Sequence, residues 1–375
     1  MRSLETTVAA LVGLSLVSSS AASPGDASPI FGTYSKQTTG NAEWMKQYSD
    51  DTLLVHMNIP GTHNSATWNY TQATQNALRQ FTDQNGMTLP APESVRCQEQ
   101  PVIKMLNSGI RAIDLRYAFD PNKTSLVFYH TAALLSETAT VDNLLEALYQ
   151  WLDDHPSETL FLSMQYEPST SKFGSNETAL QHQLYNALTS DEAKRYFVQD
   201  QELGTLGDSR GKITLLRRFD LDQLPSGDTE SLPGPHFSQS LWEDNGPEIA
   251  LTYNTTKNLT AYIGDYYHPV TAPGSSAAEN IRWKYNATTR NILKATTQHR
   301  DSLFWTWASG TNAGNNPPDW PQTLAVGNGS DSTPDGGVNH QLVPFFKGQK
   351  GKRLGIVMFD FFDQPSDLID TFLAV

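Results

Sequence analysis

Ile59-Pro60-Gly61-Thr62-His63-Asn64-Ser65 directly follows the apolar run Thr52-Leu53-Leu54-Val55-His56-Met57-Asn58. The run predicts a buried strand over 53–58. Pro60-Gly61 then predicts a sharp turn that presents His63 at the strand's C-terminal end. Two further stretches read the same way. Ile110-Arg111-Ala112-Ile113-Asp114-Leu115-Arg116 carries Asp114 and Arg116 on one face, since side chains alternate along a strand. Leu126-Val127-Phe128-Tyr129-His130 ends in a second histidine. A base, an acid and a fixed cation at successive strand ends suit phosphoryl transfer without a metal.

Outward from this stretch, strand-like runs alternate with helical patterns. Strands are predicted over 53–58, 112–117, 126–130, 159–166, 212–219, 259–266, 303–308 and 354–361. They are near-continuous apolar runs, as expected of strands buried on both faces. Helices are predicted over 141–152, 177–188 and 277–294, and the C-terminal residues 368–375 also read as a helix. Eight strands with interleaved helices predict an α/β fold, a parallel (β/α)8 TIM barrel. The connection between the second and third strands is too short for a helix, so the barrel is expected to be distorted.

Chemistry in such barrels sits at the C-terminal strand ends. His63, Arg116, His130, Gln165, Glu167, Arg218, Asp265, Tyr267 and Asp360 all fall at or just beyond those ends. Two long connections, 64–110 and 309–351, project from the same rim, and loops of that length are usually functional. His56 is expected in the core of the first strand and His155 in a turn before Pro156. His268 is a candidate pocket-lining residue. Trp305 and Trp307 read as barrel packing, and Trp320 as a loop residue that could meet lipid.

Composition bounds the setting. The chain has 375 residues, 38% of them hydrophobic, enough for one large core. Residues 1–22 read as a secretory signal: Arg2, a short apolar stretch over 8–17, and small residues Ser20-Ala21-Ala22. Residues 23–45 read as a polar N-terminal arm and 46–375 as the barrel. Asn69, Asn122, Asn176, Asn254, Asn258, Asn286 and Asn328 each open an Asn-X-Ser/Thr triplet, the acceptor signal for N-glycosylation. Together these predict a secreted, extracellular glycoprotein from a eukaryotic host. Cys97 is the only cysteine, so no intrachain disulfide can form, and it reads as a buried small hydrophobe. A net charge of −14 argues against nucleic acid and against bulk attraction to anionic membranes. Beyond the signal no segment is long and apolar enough to cross a bilayer, and a monomer is expected.

These residues resemble the catalytic X-type domain of phosphatidylinositol-specific phospholipase C, in particular the small bacterial-type enzymes. Ile59-Pro60-Gly61-Thr62-His63-Asn64-Ser65 looks like the first catalytic segment, Ile113-Asp114-Leu115-Arg116 the second and Phe128-Tyr129-His130 the third. Arg210 through Phe219, Asp265-Tyr266-Tyr267 and Ile356-Val357-Met358-Phe359-Asp360-Phe361 resemble later strands in the family's order. The resemblance spans roughly residues 50–375. It implies a distorted, incompletely closed TIM barrel of the phospholipase C-like phosphodiesterase type. It also implies metal-free cleavage of an inositol phospholipid to diacylglycerol and a cyclic inositol phosphate.

The resemblance assigns roles residue by residue. His63 becomes the general base, Asp360 its orienting partner, His130 the general acid and Arg116 the phosphate-holding cation. Asp114 positions neighbouring donors, and Arg218 (with Arg217 as the adjacent alternative), Asp265, Tyr267 and Gln165 read the sugar ring. Two positions depart from the bacterial-type pattern. Asn64 stands where those members usually carry aspartate, and Gln165 stands near a ring-contacting lysine. Metal-dependent members carry His-Asn at the first of these, which keeps a calcium-dependent phosphodiesterase on another lipid as an alternative, with Asp114 and Glu167 as ligand candidates. A catalytically weak barrel that binds an inositol or sugar phosphate is the other alternative. No cofactor is expected under the main reading. The partner is a phospholipid or glycolipid at a membrane surface.

Overall fold

The computed structural model describes residues 24–38, 40–84, 88–168, 175–330 and 333–375. Strands β1 (Ile59–Thr62), β2 (Ala112–Phe119), β3 (Leu126–His130), β4 (Ala133–Leu134), β5 (Leu160–Tyr166) and β6 (Ile213–Arg218) occupy the first half. β7 (Ile249–Asn254), β8 (Leu259–Gly264), β9 (Leu303–Trp307), β10 (Gly327–Ser330), β11 (Thr333–Asp335) and β12 (Ile356–Phe359) occupy the second.

Seven of these strands pair in parallel in the order β6-β5-β2-β1-β12-β9-β8. β7 closes the path antiparallel to β8. Among the described residues no ladder joins β6 to β7, so the barrel is open there. Residues 235–237 run along the gap instead: Phe237 N–H donates to the Arg217 carbonyl at 2.8 Å, and the Phe237 ring packs on Tyr253. The α/β barrel expectation stands in its distorted form, but three parts of it change.

The first strand is not 53–58. Leu54–His56 form a 3-10 turn, and the strand is the Ile59–Thr62 segment itself. Leu54, Val55 and Met57 are buried as a plug under the barrel, so their apolar character marks burial and not extension. His56 is accordingly half-buried and pairs with Asp301 at 2.8 Å, not a core residue. Gly61 is required because a Cβ there would stand 2.8 Å from the Ala112 Cβ.

Second, β3 is not a barrel strand. It runs antiparallel to the far end of β2, with Tyr117 opposite Phe128 and Phe119 opposite Leu126. Because β1 is short, it covers only the first residues of β2, and β3 takes the rest of that edge. Third, the two long connections are structured. The first holds helices Gln72–Gln84 and Val102–Asn107; the second holds Pro321–Val326, the β10–β11 hairpin and Val338–Lys347.

Helices Val141–Asp154, Thr178–Thr189, Ala277–Thr297 and Leu368–Leu373 form as predicted. Thr140 and Ser276 cap two of them with full capping boxes. His155 follows the first as its C-cap, with Nδ1 bonded to the Trp151 carbonyl. In the arm, Ile30 and Phe31 are buried against the main core. The signal expected over 1–22 lies outside the described residues. At the barrel floor Arg111 and Glu158 form a fully buried ion pair at 2.6 Å, and Arg111 also donates to four backbone carbonyls. No helix among the described residues is long and apolar enough to cross a membrane.

Candidate active site

The parallel register sets the first row of the site. Arg116 on β2 lies opposite Gln165 on β5, and Gln165 lies opposite Arg218 on β6. Two residues lower, Asp114 lies opposite Ser163, whose hydroxyl donates to Asp114 Oδ1 at 2.8 Å. Alternation therefore points one layer of polar side chains at the cavity and a second layer supports it from beneath. Alternation also resolves the adjacent arginines. Arg218 reaches the cavity, while Arg217 turns away and donates to the Gly234 carbonyl at 3.1 Å.

His63 directly follows β1 and His130 ends β3. Because β3 runs back down β2, its last residue arrives beside the end of β1. The two imidazole centroids stand 6.2 Å apart with planes at 83°. His63 Nδ1 lies 2.8 Å from Asp360 Oδ1, and the other Asp360 oxygen accepts from the Gly310 N–H at 3.3 Å. An ionised carboxylate only accepts, so the network assigns the proton to Nδ1 and leaves Nε2 as the basic nitrogen. The Asn64 amide lies 3.0 Å from that Nε2. On the far side, His130 Nδ1 donates to the Val95 carbonyl at 2.6 Å, which frees its Nε2.

Each of these residues is followed by one in the left-handed region: Asn64 (φ 43°), Thr131 (φ 51°) and Phe361 (φ 46°). Asparagine tolerates that conformation, but a β-branched threonine and a phenylalanine are strained in it. The three turns thus hold the histidines and the aspartate at fixed angles at some local cost.

Charges are paired around the cavity. Arg116 lies 3.2 Å from Glu167, and Arg218 lies 3.5 Å from Asp114 and 3.7 Å from Asp265. Burial disfavours charge on Asp114, but Arg218 above all, with His63 and Arg116, holds its carboxyl below the ordinary value. Asp114 also accepts from the Asn64 backbone N–H at 3.2 Å, which fixes the turn after His63. Burial first, then the Arg116 and His63 charges, pushes His130 down to about 3, so its ring is neutral when the cavity holds only solvent. Burial and Asp244 push the Tyr267 phenol up to about 12.

The cavity has a volume of about 710 Å³. His63, His130, Arg116, Gln165, Arg218, Asp265 and Tyr267 line it. Asn64, Asp114 and Asp360 are buried directly behind, at 3%, 0% and 1% exposure. Every candidate active-site residue read from the sequence is therefore in the wall or in contact with it. His268 is not among the lining residues; its Nδ1 faces the Thr311 carbonyl at 3.2 Å. Trp305 is core as expected, but Trp307 is both buried and lining, and Trp320 lines the mouth.

Several wall residues carried no sequence signal. Trp242 stacks on the Arg218 guanidinium at 4.0 Å and donates from Nε1 to Asp265 at 2.8 Å, yet it lies in an irregular polar segment. Asp244 accepts from Tyr267 at 3.1 Å. Gln98 donates to both the His63 and Phe359 carbonyls at 2.8 Å, joining β1 to β12 beneath the dyad. Lys284 is buried and donates to the Tyr266 and Trp307 carbonyls at 2.8 Å, tying the ends of β8 and β9 together. Cys97 is buried as expected, but its sulfur lies 4.0 Å from His130 Nδ1.

A sequence profile described as phosphatidylinositol-specific phospholipase C, X domain, matches residues 91–219, the segment that carries Asp114, Arg116, His130, Gln165 and Arg218. The chain is 27% identical over 186 residues to a 1-phosphatidylinositol phosphodiesterase of Listeria monocytogenes, covering 48% of this chain and 50% of that one. It is 24% identical over 231 residues to the enzyme of the same name from Staphylococcus aureus strain Newman, covering 60% and 65%. These alignments span half to about two thirds of the relatives' length. Among solved structures, a mutant of Staphylococcus aureus phosphatidylinositol-specific phospholipase C superposes with a TM-score of 0.65 at 19% identity, over 89% of this chain and 97% of that chain. The Listeria monocytogenes enzyme gives 0.59 at 19% identity, over 89% and 98%. The barrel is shared almost end to end with these solved structures, and within it residues 91–219 resemble the phosphatidylinositol-specific phospholipase C X domain.

Proposed function

We propose that this chain is a metal-independent phospholipase C-type phosphodiesterase that cleaves an inositol phospholipid or a related glycolipid. The observation that carries the reading is the facing pair of histidines, one backed by Asp360 and the other in the field of Arg116. His63 Nε2 removes the proton from the attacking sugar hydroxyl as that oxygen bonds to phosphorus. Asp360 stabilises the imidazolium that results. The planar Arg116 fork holds the non-bridging phosphate oxygens as charge builds on them. His130 protonates the departing glycerol oxygen, which leaves as diacylglycerol while the phosphate closes into a cyclic ester. The approaching phosphodiester anion offsets the Arg116 and His63 part of the shift that burial begins, and so favours uptake at His130 Nε2 of the proton it delivers. Arg218, Asp265, Tyr267 and Gln165 contact the ring hydroxyls, with Trp242 fixing the Arg218 plane.

The donor set does not suit calcium, which wants several oxygens converging on one open point. Asp114 is already engaged by Ser163, the Asn64 N–H and Arg218, and Glu167 faces Arg116. Two guanidinium groups stand where a cation would have to sit.

The setting is proposed as extracellular. All seven asparagines of the Asn-X-Ser/Thr triplets are exposed or half-buried, which supports this setting. A mobility shift on endoglycosidase treatment of the secreted protein checks this. The activity is tested by phosphorus NMR of the purified protein with phosphatidylinositol in mixed micelles, with and without chelator. A cyclic inositol phosphate signal that survives chelation supports the reading. Signal lost with chelator moves it to a metal-dependent enzyme, and no product in either arm overturns it for this headgroup.

A further inference from the structure

Cys97 has no part in the acid–base chemistry, yet it is built into the floor beneath it. It is fully buried, and its backbone N–H donates to the Thr67 hydroxyl at 3.0 Å. Its sulfur lies 3.9 Å from the Asn64 amide nitrogen, which in turn lies 3.0 Å from His63 Nε2. It also lies 4.0 Å from His130 Nδ1. Ligand atoms of Cys97, His63 and Asp360 fall within 4.8 Å of one another.

That is a soft sulfur, an imidazole and a carboxylate around one point, with a second imidazole adjacent. Neighbouring ligand atoms on a tetrahedral zinc ion stand roughly 3.3–3.8 Å apart, given its bond lengths of about 2.0–2.3 Å. The wider spacings, up to 4.8 Å, need to close by up to about 1–1.5 Å, and the 2.8 Å His63–Asp360 contact to open by about half an ångström, both within the reach of side-chain rotation. The set is unlike one for calcium or magnesium, which want oxygen donors only. Thiolate and imidazole select zinc and its neighbours.

We infer that Cys97, His63 and Asp360 form an inhibitory site for a thiophilic divalent cation such as zinc, which shuts down catalysis by taking the two histidines out of proton transfer. On binding, the Cys97 thiol proton leaves to solvent and the sulfur bonds the metal as thiolate. His63 contributes a ring nitrogen and loses its role as base. His130 completes the set when it exchanges the Val95 carbonyl for the metal. The metal-binding half rests on the ligand geometry alone; the inhibition half rests on the acid–base reading above.

Cobalt(II) titration of the full-length protein, freed of metal and kept reduced, separates the two. A thiolate-to-cobalt charge-transfer band in the near ultraviolet is expected at one equivalent, displaced by zinc and absent in Cys97→Ser and in Cys97→Ala. With cobalt held about tenfold above its measured Kd, mass action leaves roughly one tenth of the turnover, recovered on adding chelator. In the cysteine variants the same cobalt concentration is expected to leave turnover within about twofold of the metal-free value. No band in the native protein, a band that persists without Cys97, or turnover unaffected at saturation would each overturn the proposal. A band in a protein with no turnover at all supports the metal site and counts against the phosphodiesterase reading instead.

Discussion

His63 and His130 stand edge to face, 6.2 Å between centroids, although they end strands that run in opposite directions. Under the proposed function, one ring serves the attacking oxygen of the phosphodiester and the other its leaving oxygen. General acid–base groups each contribute about 10²–10⁴-fold. His63→Ala and His130→Ala are therefore each expected to lower kcat by at least about 10²-fold. Asp360→Asn, which breaks the orientation of His63, is expected to act on kcat with little change in KM. Steady-state kinetics with circular dichroism as a fold control decides; near-native turnover in either histidine variant removes the assignment.

Arg116 offers two nitrogens in one plane, one of them facing Glu167 at 3.2 Å. Lysine keeps the charge but loses the fork. Loss of one preorganised donor to developing charge costs about 10²–10³-fold, so Arg116→Lys is expected to fall in that range in kcat. A change confined to KM would show that Arg116 binds the ground state alone.

Trp242 packs over Arg218 and donates to Asp265, so it holds at once both residues proposed to read the sugar ring. Trp242→Ala is expected to raise KM by about tenfold, in line with the roughly 0.5–2 kcal/mol of a partly desolvated cation–π contact plus a hydrogen bond. Trp242→Phe keeps the stack and is expected to recover part of the loss. Equal kinetics in all three proteins would exclude a role for the indole.

His130 also links stability to pH. Its ordinary value is 6.5 and burial brings it to about 3 in the folded protein. Below pH 6.5 the unfolded chain takes up a proton that the folded chain refuses, so stability is full above that value and falls as pH drops toward 3. Urea unfolding at a series of pH values should show a shallower decline in His130→Gln than in the native protein. Parallel curves would mean that this ring titrates normally.

Leu241 and Val270 are 60% and 64% exposed, in segments that carry the lining residues Trp242 and Tyr267. Under the proposed function, large apolar side chains in segments next to the cavity suit contact with the acyl boundary, because a net charge of −14 offers no electrostatic attraction to anionic lipid. Leu241→Ser with Val270→Ser is expected to weaken vesicle binding in co-sedimentation several-fold while leaving cleavage of a soluble substrate unchanged. Equal loss on both substrates would place the effect inside the cavity.

The alternation of apolar strands and helices was readable because burial on both faces writes itself into composition. So were the active-site candidates at strand ends, since a barrel puts those ends on one rim. The extent of β1 was not readable: Leu54, Val55 and Met57 are as apolar as a strand, but they plug the floor, and the strand forms where Gly61 lets β12 and β2 close in. The direction of β3 was equally hidden, because a run of apolar residues carries no sign of which neighbour it will pair with. That pairing brings His130 to His63. Trp242, Gln98, Lys284 and Cys97 reach the site through contacts between segments far apart in the chain, and no local pattern records those. The amino-acid sequence by itself determined the chemical types available and the rim they occupy. Only the tertiary structure decided which of them face each other, because strand direction and register are settled by packing between distant segments.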